Sequence, residues 1–352
     1  MGVVRVSASV WDGVVGQPRA VERLRAAATA PVHAYLFVGP PGSTKDAAAR
    51  AFAALLLAGA DDPDQRDARL ALTGEHPDVR EVRRLGAAIS ADQIDDIVRN
   101  ASLAPVEGQR KVMVLDEFHL LTAQGAARLL KTIEEPPAST LFIVLADQVT
   151  TELVTIASRC VRIEFSPIDP GIIAARLVAE GCDTERADAA AAAAAGNLDR
   201  ARVLVTDDGL ARRRDAFAAV PRRLDGSGTT VAKLVDEIVG LADESAASLA
   251  PVHAAEVSAL EARVAASGER GSGRKALEER QKREVRRYRT DELRAGLAVV
   301  AGVYRDALVA GGTRPEQLAR AVHRVHDALE ALDRNPNEAL LLQALLLDLP
   351  SV

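Results

Sequence analysis

The segment Gly39-Pro-Pro-Gly-Ser-Thr-Lys-Asp46 stands between an apolar run, Ala34-Tyr-Leu-Phe-Val38, and an Ala/Leu-rich stretch, Lys45–Leu57. A glycine-bearing turn from strand into helix turns backbone N–H groups towards phosphates, a following lysine neutralises their charge, and a Ser/Thr hydroxyl holds Mg²⁺. Gly39, Gly42 and Lys45 fit that chemistry. Two positions break it. Thr44 stands where a second glycine should precede the lysine, and Asp46 replaces the hydroxyl residue. A carboxylate beside a triphosphate repels it unless a metal intervenes. The loop therefore reads either as a weak ATP/Mg²⁺ site or as an inherited turn that has lost its ligand.

A second candidate is Lys111-Val-Met-Val-Leu-Asp-Glu-Phe-His119. A buried strand ending in Asp116-Glu117 offers one carboxylate for Mg²⁺ and a second to activate water. Taken with the loop upstream, it indicates nucleotide-hydrolase ancestry. His119 reads as a surface residue at a helix start. A third candidate is Arg159, in Thr155-Ile-Ala-Ser-Arg-Cys160. An outward-facing arginine at a helix end can reach a neighbouring molecule's γ-phosphate and stabilise transition-state charge, an effect worth about 10³–10⁵ in rate.

The elements that must position these residues alternate over the first 165 residues. Ala34–Val38, Val112–Leu115, Leu141–Leu145 and Val161–Phe165 read as strands, with a weaker one at Asp78–Val82. Between them Lys45–Leu57, Ala91–Ala101 and Gly125–Glu134 carry helical periodicity, the last halted by Pro136 and Pro137. Strands separated by helices predict a parallel, doubly wound α/β sheet whose ligands sit beyond the carboxyl ends of the strands. After Ser166-Pro-Ile-Asp-Pro170 the strands cease. Gly171–Glu180, Thr184–Ala195 and Asn197–Thr206 predict three short helices, with the polyalanine run Ala189–Ala195 as helix interior. The remainder reads as helical, broken by a polar glycine-containing stretch at 267–273 expected to be a surface loop.

Composition narrows the function classes. A chain of 352 residues has room for two or more domains, and 48% hydrophobic with 27% charged residues excludes wholesale disorder. Against 50 acidic side chains stand 44 basic ones, a net charge of −6, which argues against a free-standing nucleic-acid binder. Aromatic residues at 3% argue against a protein that stacks single-stranded bases. Arg274–Arg294 carries nine basic and five acidic residues and reads as a solvated helix laced with ion pairs rather than a DNA-facing surface. No apolar run approaches the roughly 20 residues of a membrane span, and Met1–Ser9 lacks a signal-peptide pattern, so a cytoplasmic location is expected. Cys160 and Cys182 are isolated from each other and from any Cys/His cluster, so no metal site and no zinc are predicted.

The order of motifs resembles the clamp-loader subunits of bacterial DNA polymerase III, within the AAA+ ATPases, and among them the delta-prime branch. The resemblance rests on Trp11-Asp-Gly-Val-Val-Gly-Gln17, His33-Ala-Tyr-Leu-Phe37, Glu75-His-Pro-Asp-Val79 and Glu107-Gly-Gln-Arg-Lys-Val112. Leu129-Leu-Lys-Thr-Ile-Glu-Glu-Pro-Pro137 and Ser158-Arg-Cys160 complete it. It covers roughly residues 10–167, with a weaker match at Gly196-Asn-Leu-Asp-Arg-Ala201. It implies a RecA-like AAA+ domain over 1–167, a small three-helix lid over 168–208 and an all-helical collar over 209–352. It also implies partners: gamma/tau and delta subunits, with the sliding clamp and primed DNA met through the complex, and no membrane.

In that family gamma/tau subunits hydrolyse ATP while delta-prime offers its Ser-Arg-Cys arginine to the adjacent site, which makes Arg159 the trans-acting finger. The departures agree with that division. Beside Thr44 and Asp46, the usual sensor threonine after the fourth strand is replaced by Ala146 or Asp147. The arginine expected after the Gly196 turn falls on Asp199, with Arg200 displaced by one. Asp116 and Glu117 alone are better preserved than an inert site requires. Many relatives also carry a four-cysteine zinc module where this chain has the acidic, cysteine-free Asp61–Gly74, either a shrunken loop or the mark of a diverged branch. The resemblance thus implies a non-hydrolysing assembly subunit that requires no cofactor. Alternatives are an ATP-hydrolysing gamma/tau-like subunit and a stand-alone AAA+ nucleic-acid remodeller.

Overall fold

A computed structural model describes residues 8–84, 89, 91–267, 273–311, 314–332 and 336–352. Most of the stretch expected as a surface loop, residues 268–272, lies outside the described residues, as do the first seven. The chain divides into two compact units, Met1–Ala201 and Arg202–Val352.

In the first unit, β1 (Ala34–Val38), β2 (Val79–Val82), β3 (Lys111–Leu115), β4 (Thr140–Ala146) and β5 (Val161–Glu164) form one sheet in the order β2-β3-β4-β1-β5. Every pairing is parallel. Because side chains alternate across a strand, the near-continuous apolar runs supply two faces at once. Tyr35, Phe37, Val112, Val114, Leu141 and Ile143 pack on one side against Leu24 of α1 (Pro18–Thr29), Phe52 of α2 (Lys45–Ala58) and Ala68 and Ala71 of α3 (Arg66–Thr73). Leu36, Met113, Leu115, Phe142 and Val144 pack on the other against Ile94 and Ile97 of α4 (Ala91–Ser102), Leu129 and Ile133 of α5 (Ala123–Glu134), and Ile156 of α6 (Val154–Ala157). Lys111, at the buried start of β3, satisfies its ammonium on the carbonyls of Asn100 and Leu103 near the C-terminal end of α4.

Two elements depart from the sequence expectation. The acidic stretch Asp61–Gly74 is not a bare loop, for α3 occupies most of it and ends on Gly74 in the left-handed conformation. Its two buried residues are alanines, too small to raise a strong periodic signal amid its charges. Helix α1 is not legible in the sequence either, for only Ala20 and Leu24 of it are buried. Beyond β5, α7 (Pro170–Ala179) and α8 (Thr184–Ala193) begin on Asp169 and Asp183, whose carboxylates accept from Gly171 and Arg186 backbone N–H groups. A turn through Gly196 leads into α9 (Leu198–Leu204), within which the division between units falls.

The second unit is helical throughout its described residues: α10 (Leu210–Arg223), α11 (Gly228–Ala247), α12 (Ala250–Ser267), α13 (Arg274–Val309), α14 (Pro315–Leu332) and α15 (Glu338–Asp348). Phe217, Leu234, Ile238, Leu297, Tyr304, Val325 and Leu342 share its core. The Phe217 ring lies so close to Gly296 that a Cβ there would come within 2.2 Å of it, so this glycine in mid-helix is a packing requirement. Of the helix 274–294, Arg274, Arg280, Lys282, Arg289 and Arg294 each pair with an acidic side chain. Among the described residues, only Arg274 with Glu278 is the i,i+4 pair expected within the helix; Arg274, Arg280 and Arg289 also pair with acids on α11, α12 and α15.

Candidate functional site

The loop 39–46 leaves the carboxyl end of β1 and enters α2, as a phosphate-binding turn does. Thr44 holds the backbone that the pattern reserves for glycine, φ +62° and ψ +23°. For a β-branched residue this is a left-handed outlier costing roughly 1–2 kcal/mol. Its hydroxyl offsets part of that cost, donating to the Val15 carbonyl and accepting from the Val15 N–H, both at 3.2 Å. The turn has thus kept its shape after losing its glycine.

The loop's polar groups are already engaged by the protein. Lys45, 8% exposed, donates to the carbonyls of Gly39 (3.0 Å) and Pro40 (3.3 Å) and pairs with Asp147 Oδ1 at 2.8 Å. Gln17 donates its amide N–H to the carbonyls of Ser43 (3.1 Å) and Ser166 (2.7 Å). Leu198 N–H donates to the Gly42 carbonyl, and Asn197 lies so close over Gly42 that a Cβ there would come within 1.9 Å of its Oδ1. Among the loop's side chains, the Ser43 hydroxyl is buried without a partner among the described residues.

Of the two candidate sensor positions, Ala146 ends β4 inside the core and Asp147 faces the loop. His119 meets the same aspartate. The Asp147 N–H donates to His119 Nδ1 at 3.2 Å, while His119 Nε2 lies 3.5 Å from Asp147 Oδ2. This corrects the expectation of a surface residue, since the imidazole is only 14% exposed. Burial lowers the pKa of His119 below its ordinary value, against the opposing pull of Asp147.

Asp116 and Glu117 stand at the carboxyl end of β3, as expected, but each carries an arginine partner. The register Val82↔Leu115 places residues 83 and 84 beside 116 and 117. Arg83 Nε lies 3.4 Å from Asp116 Oδ2, and Arg84 Nε lies 2.8 Å from Glu117 Oε2. Burial, together with the neighbouring Glu117, raises the Asp116 pKa in spite of Arg83. A metal held between the P-loop hydroxyl and the strand-end aspartate is the usual arrangement. Here the space between Asp46 and Asp116 is a cavity of about 10 Å³, room for about one water, with Arg50 and Arg83 in its lining. An aspartate in place of the hydroxyl, a lysine tied to Asp147 and guanidinium groups where the cation would lie do not fit bound Mg·ATP.

Arg159 follows α6 and is exposed at the amino end of β5. Val161 pairs with Tyr35, so Arg159 sits two residues before that level and Gly39 four residues beyond it. The four residues from the level of Val161 and Tyr35 to Gly39 alone span about 13 Å along the strand direction, and Arg159 lies before that level. The structure therefore gathers Gly39, Gly42, Thr44, Lys45, Asp116 and Glu117 at the carboxyl end of the sheet and keeps Arg159 at the amino end. Arg159 Nε binds Glu134, the last residue of α5, and Nη1 donates to the Thr155 carbonyl (2.8 Å) and Ser158 Oγ (3.0 Å). In the turn after Gly196, Asp199 is exposed and Arg200 is buried.

Sequence reasoning missed three partnerships: Asp147 with Lys45, Arg83 and Arg84 with the acidic pair, and Glu134 with Arg159. The second was recoverable, since two arginines directly after a strand that pairs in parallel with β3 must fall beside its terminal acids. The others join residues 102 and 25 positions apart and follow from no local pattern.

A parallel sheet ordered β2-β3-β4-β1-β5, with a P-loop turn after β1 and an Asp-Glu pair after β3, defines an α/β AAA+ fold with a helical second unit. Residues 16–169 match the family model for "DNA polymerase III, delta subunit". Among curated relatives, the delta' subunit of Bacillus subtilis is 34% identical over 152 residues, 42% of this chain and 46% of that protein. The delta' subunit of Pseudomonas aeruginosa is 33% identical over 165 residues, 45% of this chain and 50% of the relative. The tau subunit of Bacillus subtilis is 34% identical over 175 residues, 47% and 31%. The chain spans half or less of the length of each. Over residues 16–169, within its first unit, the chain is thus similar to delta-prime-type clamp-loader subunits of DNA polymerase III.

Proposed function

We propose that this chain is a clamp-loader subunit of DNA polymerase III that does not itself turn over ATP and instead offers Arg159 to the nucleotide site of a neighbouring gamma/tau-type subunit. The observation that carries the reading is the Lys45–Asp147 ion pair. A lysine bound to a carboxylate and to two loop carbonyls is withdrawn from phosphate, and Asp147 adds a negative charge where phosphates would come. Arg159 precedes β5 at the amino end of the sheet, while that loop follows β1 at the carboxyl end, which supports a role towards a partner rather than its own site. In a trans site an arginine neutralises charge developing on the transferred phosphoryl group.

The helical second unit would hold the subunit in its ring, and clamp and primed DNA would be met through the assembled loader. The retained Asp116-Glu117 pair favours a gamma/tau-like ATPase as the second reading, and the Arg83 and Arg84 pairings weigh against it. The experiment is DNA-stimulated ATP hydrolysis by the loader reconstituted with Arg159→Ala. The contribution of the one site served by this subunit should fall by about 10³, and an unchanged rate refutes the finger. Mg²⁺-dependent turnover by the isolated chain, absent from an Arg159-independent contaminant control, would establish the second reading instead.

A further inference from the structure

We infer that Glu134 is a positioning residue for Arg159, holding the guanidinium so that its Nη2 edge faces outward towards the partner's nucleotide. The inference rests on the finger reading above and adds a residue to it.

A guanidinium has five N–H donors fixed in one plane. The Nε–H of Arg159 goes to Glu134, and Nη1 is bound to the Thr155 carbonyl and to Ser158 Oγ. The serine is itself anchored, donating to the same Thr155 carbonyl at 2.9 Å. That leaves Nη2 as the nitrogen without a partner among the described residues, on a side chain 36% exposed. Contacts on two of three nitrogens fix the plane and its direction, while the remaining edge keeps two donors for an incoming anion.

The carboxylate is well suited to this work. Glu134 ends α5, and Pro136 and Pro137 forbid the helix to continue, so its backbone is pinned. It is solvent-exposed, so its own charge is screened from a phosphate reached by the far edge of the guanidinium. An unrestrained arginine loses its rotamer freedom when it docks; one already held has lost it on folding, and the reaction meets a preorganised donor. A pair serving only surface stability would need neither the anchored serine nor the free outer edge.

The test compares kcat and KM for DNA-stimulated ATP hydrolysis by the reconstituted loader carrying Arg159→Ala, Glu134→Gln, Glu134→Asp or Glu164→Gln. Glu164, on β5, is the control, paired with Arg162 at 2.6 Å. Glu134→Gln should lower kcat about five- to tenfold with KM unchanged, Glu134→Asp should recover part of the loss, and Glu164→Gln should match wild type. An unchanged rate for Arg159→Ala removes the finger reading and this inference with it. A reduced rate for Arg159→Ala beside a wild-type rate for Glu134→Gln overturns the inference alone. Equal losses for Glu134→Gln and Glu164→Gln overturn it as well, because the cause is then edge charge and not placement.

Discussion

Lys45 Nζ lies 2.8 Å from Asp147 Oδ1, joining the lysine of the loop after β1 to the first residue beyond β4. These strands are adjacent and parallel, with Val38 level with Ala146, so their carboxyl ends deliver the two residues to one place. A polar residue at 147 could assist phosphate binding there, whereas a carboxylate competes with phosphate for the lysine. With Thr44 already in the glycine conformation, the loop's backbone is ready and its charge is wrong.

That separation can be tested by repair. Replacing Asp147 by threonine frees Lys45, Asp46→Ser restores the metal-binding hydroxyl, and Thr44→Gly relieves the left-handed strain. The triple variant should bind a fluorescent ATP analogue at least tenfold more tightly than the parent chain, whereas Thr44→Gly alone should change little because Asp147 still holds the lysine. Wild-type affinity equal to that of the triple variant would show that the ion pair does not exclude nucleotide.

The second unit holds a charged centre that should be costly to break. Arg213, 1% exposed, pairs with Asp207 at 2.6 Å and with Glu292 at 3.0 Å, and Ser245 also donates to Glu292. Arg213→Met leaves two carboxylates facing each other in the interior. Removing one member of such a buried set costs about 3–5 kcal/mol. Urea denaturation of the full chain should show that loss in the transition of the helical unit, and a loss under about 1 kcal/mol would mean that water reaches the carboxylates.

How far the sequence reveals this molecule depends on whether the deciding contacts are local. β1 is visible as five consecutive apolar residues, all buried. The loop after it, the acidic pair and Arg159 are visible as motifs. Helix α3 is not, because small alanines make its buried face. Nor are Asp147 and Glu134 visible as partners, since each acquires its meaning from a residue on another element: Asp147 through the register of β1 with β4, Glu134 through the end of α5 reaching Arg159. Chemistry-bearing residue types were legible, but which charges neutralise them was not.

Cys160, next to Arg159, is half-buried and should be inert. Burial pushes its thiol up to about 12. At pH 8 only about one molecule in ten thousand then carries the reactive thiolate. Under native conditions iodoacetamide should leave Cys160 unlabelled over hours, with labelling appearing only in guanidinium, as peptide mapping would record. Rapid native alkylation would mean that this segment opens.

His119 gives the first unit a measurable pH dependence. Its pKa is depressed in the folded chain because burial disfavours the imidazolium more than Asp147 favours it. Between the ordinary value of 6.5 and the lower folded value, the unfolded chain binds more protons than the folded one, so stability rises with pH across that window. The contribution is complete above about pH 6.5, falls as the pH drops below it and levels off beneath the folded value. His119→Gln removes the titrating group, so the difference in unfolding free energy between variant and parent should shift in the variant's favour as pH falls from 7 to 5. Urea midpoints measured across that range would show it, and a parallel pair of pH profiles would mean that Asp147 cancels the cost of burial.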